Sequence, residues 1–244
     1  MIRVIGSSHI GMVRKENQDA FLLNQLADSG ALLVVCDGMG GIQGGKTASD
    51  IACKTFFDCV SQGASDSLAD LEVYDLFNKA VALANEKVYS KSRDDLQLMG
   101  MGTTLVAVLI LDKKAYFANV GDSRAYILSG AGIDRVTRDH SVVQELVDMG
   151  SITEKQAKNH LNKNIITRAV GVELSVEFDF YVRSLKADDI VLLCSDGLTN
   201  FVDDLEIQFE FANSKVFENV PQKLIELANT RGGKDNITVL AARI

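Results

Sequence analysis

The chain has 244 residues, 47% hydrophobic and 24% charged, with a single proline and a formal net charge of −8. This composition supplies one large apolar core and excludes a mostly disordered chain. The negative balance, without any block of Lys or Arg, excludes a protein built to hold nucleic acid or an anionic membrane.

In chain order, the N-terminus begins without an apolar run of signal-peptide length. Short apolar or β-branched runs bounded by Gly, Asp, Asn or Lys predict strands over 20–24, 31–36, 104–111, 115–120, 124–128, 175–182, 190–194 and 237–243. Apolar residues at helical spacing predict helices over 46–60 and 68–91, then 141–149, 153–159 and 221–230, the last opened by Pro221. The longest apolar run, 105–111, is too short to span a bilayer, so the expected location is the cytoplasm. Cys36, Cys53, Cys59 and Cys194 form no CxxC pair and read as small hydrophobes rather than disulfides or zinc ligands.

The strands between 104 and 128 are joined by Asp112-Lys113-Lys114 and Gly121-Asp122-Ser123, which are too short for a parallel crossover. The two long helices precede this antiparallel run instead of alternating with it. The pattern predicts a layered α+β fold, in one domain over 1–244, and not a doubly wound sheet.

Four apolar strands carry an aspartate at one end with glycine beside it or close by: Asp37-Gly38, Gly121-Asp122, Asp196-Gly197 and Gly232-Gly233-Lys234-Asp235. Each one read singly is a turn. Brought together by a fold, the four carboxylates would carry four negative charges, which two divalent cations would neutralise. Oxygen-only ligation suits magnesium or manganese better than zinc.

Asp37-Gly38-Met39-Gly40-Gly41, Gly121-Asp122-Ser123-Arg124, Ser195-Asp196-Gly197-Leu198 and Lys234-Asp235-Asn236 stand in the order found in the metal-dependent protein phosphatases, the type 2C or PPM family. Segments 13–20, 101–104 and 137–141 match further motifs, so the chain resembles that family, in its bacterial branch, over essentially its whole length. The resemblance implies a central sandwich of two antiparallel sheets flanked by helices, with a mobile flap at about 141–165 beside the site. It also implies a protein serine/threonine phosphatase acting on phosphoserine and phosphothreonine proteins, opposed to a cognate Ser/Thr kinase; a monomer is expected.

Carried over by position, Asp37 would bridge two Mn2+ or Mg2+ ions, and the Gly38 carbonyl would complete one coordination shell. Asp196 and Asp235 would ligate the other ion, and Asp122 with Asp196 a weaker third. Arg14 would grip the substrate phosphate, its planar guanidinium matching two phosphate oxygens. Asp19 would orient the attacking water, with Gln18 and Asn236 supporting the ligands from behind. The implied reaction is in-line attack on phosphorus by a hydroxide bridging two ions about 3.5–4 Å apart.

Two positions depart from the family pattern. Gln18 stands where many members have glutamate, and Met39 where animal members have a histidine proposed as general acid. Methionine cannot donate that proton. Two rival readings are weighed. The segment 40–47 fits the P-loop pattern GxxxxGK[ST], but an antiparallel run and the unexplained Asp196 and Asp235 count against a nucleotidase. A non-catalytic phosphoprotein-binding relative would be expected to lack metal aspartates, all of which are present. For His140, orienting the start of the 141–149 helix is at least as good a reading as catalysis.

Overall fold

The computed structural model describes residues 2–26, 30–65 and 67–244, apart from the side chains of Ile42 and Gln43. The chain opens with β1 (Arg3–His9), β2 (Asp19–Leu26) and β3 (Gly30–Met39), followed by helices α1 (Gly41–Gly63) and α2 (Asp70–Asp94). An antiparallel run comes next: β4 (Gly102–Thr103), β5 (Leu105–Leu111), β6 (Lys114–Val120), β7 (Arg124–Ser129) and β8 (Gly132–Arg135). Short helices α3 (Val142–Asp148) and α4 (Glu154–Ala157) precede β9 (Asp179–Ser184) and β10 (Ile190–Cys194). The chain then runs through the one-turn α5 (Asp196–Thr199), α6 (Asp204–Asn213), α7 (Val220–Thr230) and β11 (Ile237–Arg243).

Two antiparallel sheets form, with orders β1-β11-β10-β7-β8 and β2-β3-β5-β6-β9, and β4 pairs with the end of β3. Side-chain alternation along β3 explains why its sequence is apolar without a break. Leu32, Val34 and Cys36 face α1 and α2, where they meet Phe56 and Phe77. Ala31, Leu33 and Val35 face the other sheet, where they meet Leu193 and Leu240. Both faces are buried, so neither tolerates polar residues. On the far side, Leu192 and Tyr126 pack against Ile207 and Leu224 of α6 and α7. The result is four layers, helices–sheet–sheet–helices, as expected. All four cysteines are free, and three of them are buried.

Several elements differ from expectation. β1 and β8 were not predicted as strands, and β9 spans Asp179–Ser184 where 175–182 was predicted. The Gly6-Ser7-Ser8 stretch has weak strand propensity; pairing with β11 over its full length supplies the order. α6 was also missed, although Asp203 and Glu206 cap it reciprocally: Glu206 N donates to Asp203 Oδ1 and Asp203 N to Glu206 Oε2. Its apolar residues fall on both faces, with Ile207 and Phe211 buried and Leu205 and Phe209 exposed, which blurs the helical period. β3 does not turn at Asp37-Gly38. The strand runs on through Met39, and the chain bends at Gly40 and Gly41, with φ of 118° and 66°.

That bend also disposes of the P-loop reading. The segment from Gly41 onward is already the first turn of α1, and the sheet beside it is antiparallel. Lys46 Nζ pairs with Asp50 at 2.8 Å on the same helix.

Candidate active site

The strand ends place their carboxylates in one cleft of about 610 Å³ between the two sheets' loops. Asp37, Asp122, Asp196 and Asp235 all line it, together with Arg14, Gln18, Gly38 and Asn236. Residues far apart in the chain thus converge. Asp19 is the exception among the candidates: it does not line the cleft, stands opposite Asp37 in the β2–β3 register, and is 4% exposed.

Each carboxylate is positioned by its local surroundings. The Asp37 N–H donates to Thr104 Oγ1 at 2.9 Å, and its carbonyl accepts from Thr104 N and Thr103 Oγ1, both at 2.9 Å. Gly38 has no room for a side chain, because a Cβ there would collide with the Gly45 carbonyl. Asp122 follows Gly121, whose φ of 102° suits glycine and whose absent Cβ would meet Thr104. Asp196 opens α5, and its Oδ2 accepts from Asn200 Nδ2 at 2.9 Å. Asp235 Oδ2 accepts from Arg14 Nη2 at 2.7 Å, a close ion pair on the cleft wall.

Asn236 is a clamp. Its Nδ2 donates to the carbonyls of Ile10 and Glu16, and its Oδ1 accepts from Gln18 N at 2.8 Å. These three bonds hold the segment that carries Arg14 against the turn that carries Asp235, just before β11. Gln18 itself donates from Nε2 to the Gly41 carbonyl at 3.0 Å, so part of its side chain braces the bend after β3.

The electrostatics are those of crowded anions. Burial drives the Asp37 carboxyl well above the usual range, and the charges of Asp19, Asp196, Asp122 and Asp235 push the same way. Burial and the charges of Asp196 and Asp139 do the same to Asp122. Asp196 is pushed up to about 6, mainly by burial and then by Asp235. Asp19 is pushed up to about 7 by burial, although its Oδ2 accepts from Ser195 Oγ at 2.8 Å and Thr238 Oγ1 at 2.6 Å. Asp19 Oδ1 and Asp196 Oδ1 are buried without a hydrogen-bond partner. Unsatisfied anionic oxygens in a self-repelling group are what a hard cation relieves, so these residues fit divalent ions. Among the described residues no three acidic, His or Cys side chains form a ready-made cage for one ion. Backbone carbonyls and water commonly complete the shells of such ions.

The crowding has a measurable consequence in chelator. Carboxyls with raised native pKa values add stability when protonated and lose it as pH rises through those values. The melting temperature in EDTA is therefore expected to rise as pH falls from 8 to about 6.5, through the value of Asp19 and toward that of Asp196. A flat or falling profile over that window would contradict the crowding. Below it, buried His140, whose pKa is lowered by burial, works in the opposite sense.

His140 has a structural job. Its Nδ1 accepts from Gly121 N at 3.1 Å, and its Nε2 faces Asp179 Oδ2 at 3.2 Å. It thereby ties the Asp122 turn to β9. Next to it, Asp139 accepts from Arg124 at 2.7 Å and from Arg135 at 2.6 Å in a largely buried triad. Thr238, Asn200 and Arg135 lie outside the motifs read from the sequence, and Ser195, Arg124 and Asp139 lie within them without an assigned role. Ser195 and Asn200 stand within four residues of Asp196, which was the available hint.

A family model described as Protein phosphatase 2C matches residues 5–239. The Serine/threonine phosphatase stp of Listeria monocytogenes is 37% identical over 230 residues, covering 94% of this chain and 91% of that protein. The S. agalactiae serine/threonine phosphatase structure superposes with a TM-score of 0.92 at 35% identity, covering 100% of both chains. The catalytic domain of the serine threonine protein phosphatase PstP, solved with 2 manganese ions, gives 0.85 at 32% identity, covering 99% of this chain and 97% of that one. With motifs, sheet order and cleft in agreement across its length, the chain belongs to the protein phosphatase 2C family.

Proposed function

We propose that this protein is a divalent-cation-dependent phosphatase that hydrolyses phosphoserine and phosphothreonine in other proteins. The reading rests on one observation: Asp37, Asp122, Asp196 and Asp235 share a cleft with Arg14 at its wall. When bound, two Mn2+ or Mg2+ ions supply Lewis acidity that makes hydroxide available near neutral pH and draws charge from the phosphoryl oxygens. Asp37 with the Gly38 carbonyl, and Asp196 with Asp235, would hold them; Asp122 and Asp196 would hold a weaker third.

The chain's own groups do the rest. Arg14 turns its guanidinium, half exposed on the cleft wall, to two phosphate oxygens while Asp235 keeps it aimed. Asp19 accepts from the Ser195 and Thr238 hydroxyls, and its Oδ1, buried without a partner, would be the group that orients water. Gln18 and Asn236 hold the loop bearing Arg14. Met39 carries no proton, so the leaving oxygen takes its proton from water or from the 141–165 flap, whose following residue Ile166 lines the cleft. Arg14→Ala is expected to raise KM by roughly ten-fold or more, with a smaller effect on kcat. Steady-state kinetics on a phosphothreonine peptide check this; an unchanged KM would remove the assigned role.

No helix among the described residues is long and apolar enough to cross a membrane. A monomer working in the cytoplasm against a Ser/Thr kinase, in signalling, completes the proposal. The test is hydrolysis of p-nitrophenyl phosphate and of a phosphothreonine peptide with Mn2+ and with EDTA. Turnover of both, abolished by EDTA, is expected. Turnover of ATP without either substrate would contradict it.

A further inference from the structure

The active-site cleft continues past Met39 and Ile166, which also line a second groove of about 370 Å³. A polypeptide whose phosphoryl group lies at Arg14 therefore has this groove directly alongside. The groove combines apolar Met39, Ile166 and Val172 with charged Arg168, Glu173 and Glu177. Arg168 is already engaged, its Nη1 donating to Asp179 Oδ1 at 3.1 Å. Glu173 and Glu177 are exposed, and neither carboxylate has an ion pair or hydrogen bond among the described residues.

The wall that bears Glu173 is a built feature. Buried Asn85 of α2 donates from Nδ2 to the carbonyls of Glu173 and Leu174, at 3.0 and 3.1 Å. Its Oδ1 accepts from Gly171 N at 2.7 Å. Gly171 has φ of 90°, and a Cβ there would collide with Val88, so the loop is seated directly on the helix. Two carboxylates are thus presented next to an apolar surface, within a chain of net charge −8.

We infer that this groove binds the substrate segment flanking the phosphorylated residue and favours a basic side chain there. A Lys or Arg stem lies on Met39 and Val172, and its cationic head meets Glu173 and Glu177. The inference rests on the phosphatase reading above. It gives the enzyme a preference that small substrates do not sense.

The experiment uses phosphothreonine peptides identical except for Lys, Ala or Glu at single positions within three residues on either side. Wild-type kcat/KM with Mn2+ is expected to favour Lys over Glu on one flank by about ten-fold at low salt, shrinking as salt rises. In E173Q/E177Q the ratio is expected to fall toward one, and in E173K/E177K to invert. Equal rates on the Lys and Glu peptides at every position would overturn the inference, as would an unaltered ratio in both double variants. Wild-type turnover of p-nitrophenyl phosphate separates the two failures. If it persists without any peptide preference, the groove assignment alone falls; if no substrate turns over, both readings fall.

Discussion

Asp37→Asn is expected to lower kcat by about a thousand-fold or more while raising the melting temperature of the chelated protein. The first effect follows from its place. Asp37 is crowded by burial and by the charges of Asp19, Asp196, Asp122 and Asp235, three of which share its cleft. Removing a residue that merely supports a metal ligand already costs roughly ten- to a hundred-fold, and loss of a shared ligand costs more. The second effect follows from electrostatics. In EDTA burial and the neighbouring charges both disfavour the Asp37 carboxylate, at a cost to the native state, and asparagine, neutral and nearly the same size, removes that cost. Each kcal/mol relieved raises the melting temperature by roughly 2–4 °C in a chain of this size. The stabilisation by Mn2+ should shrink in the same variant. Thermal melts with Mn2+ and with EDTA, beside kinetics, check both signs. An inactive variant that is also less stable in EDTA would point to a structural role instead.

Asp139→Ala is expected to destabilise the protein by about 3–5 kcal/mol, the cost of removing one partner from a buried ion pair. Arg124 donates to both Asp139 oxygens, at 3.0 and 3.1 Å from Nε and 2.7 Å from Nη2, and Arg135 donates from the opposite side at 2.6 Å. Alanine would leave two guanidinium groups facing each other near Asp122. Urea unfolding measures the loss. Asp139→Asn keeps an acceptor and should lose less. A change under about 1 kcal/mol for alanine would mean the triad is solvated in solution and contributes as surface pairs do.

How much of this was legible in the sequence depends on range. Strands buried on both faces, such as β3, β6 and β10, announce themselves as apolar runs, and the aspartates at their ends stood out for that reason. β1 did not, because Gly6, Ser7 and Ser8 take their order from pairing with β11 more than 200 residues away. Gly6 reads as a weak strand residue, yet a Cβ there would strike Leu240 and Leu23, so its smallness lets the sheets approach. The same holds at the site. Arg14, Asp37, Asp122, Asp196 and Asp235 were named from motifs, and all five line the cleft. Asp19 was named too, but its burial and its two hydroxyl partners depend on Ser195 and Thr238, which only the folded register brings to it. The role of Asn236 as a three-bond clamp is likewise a tertiary fact, invisible in the Asp-Asn dipeptide.

The most direct test of the central claim is anomalous diffraction from crystals soaked in Mn2+. Two strong peaks are expected inside the cleft, both in contact with Asp37, one also with the Gly38 carbonyl and the other with Asp196 and Asp235. Manganese absent from the cleft, or bound without touching Asp37, would contradict it.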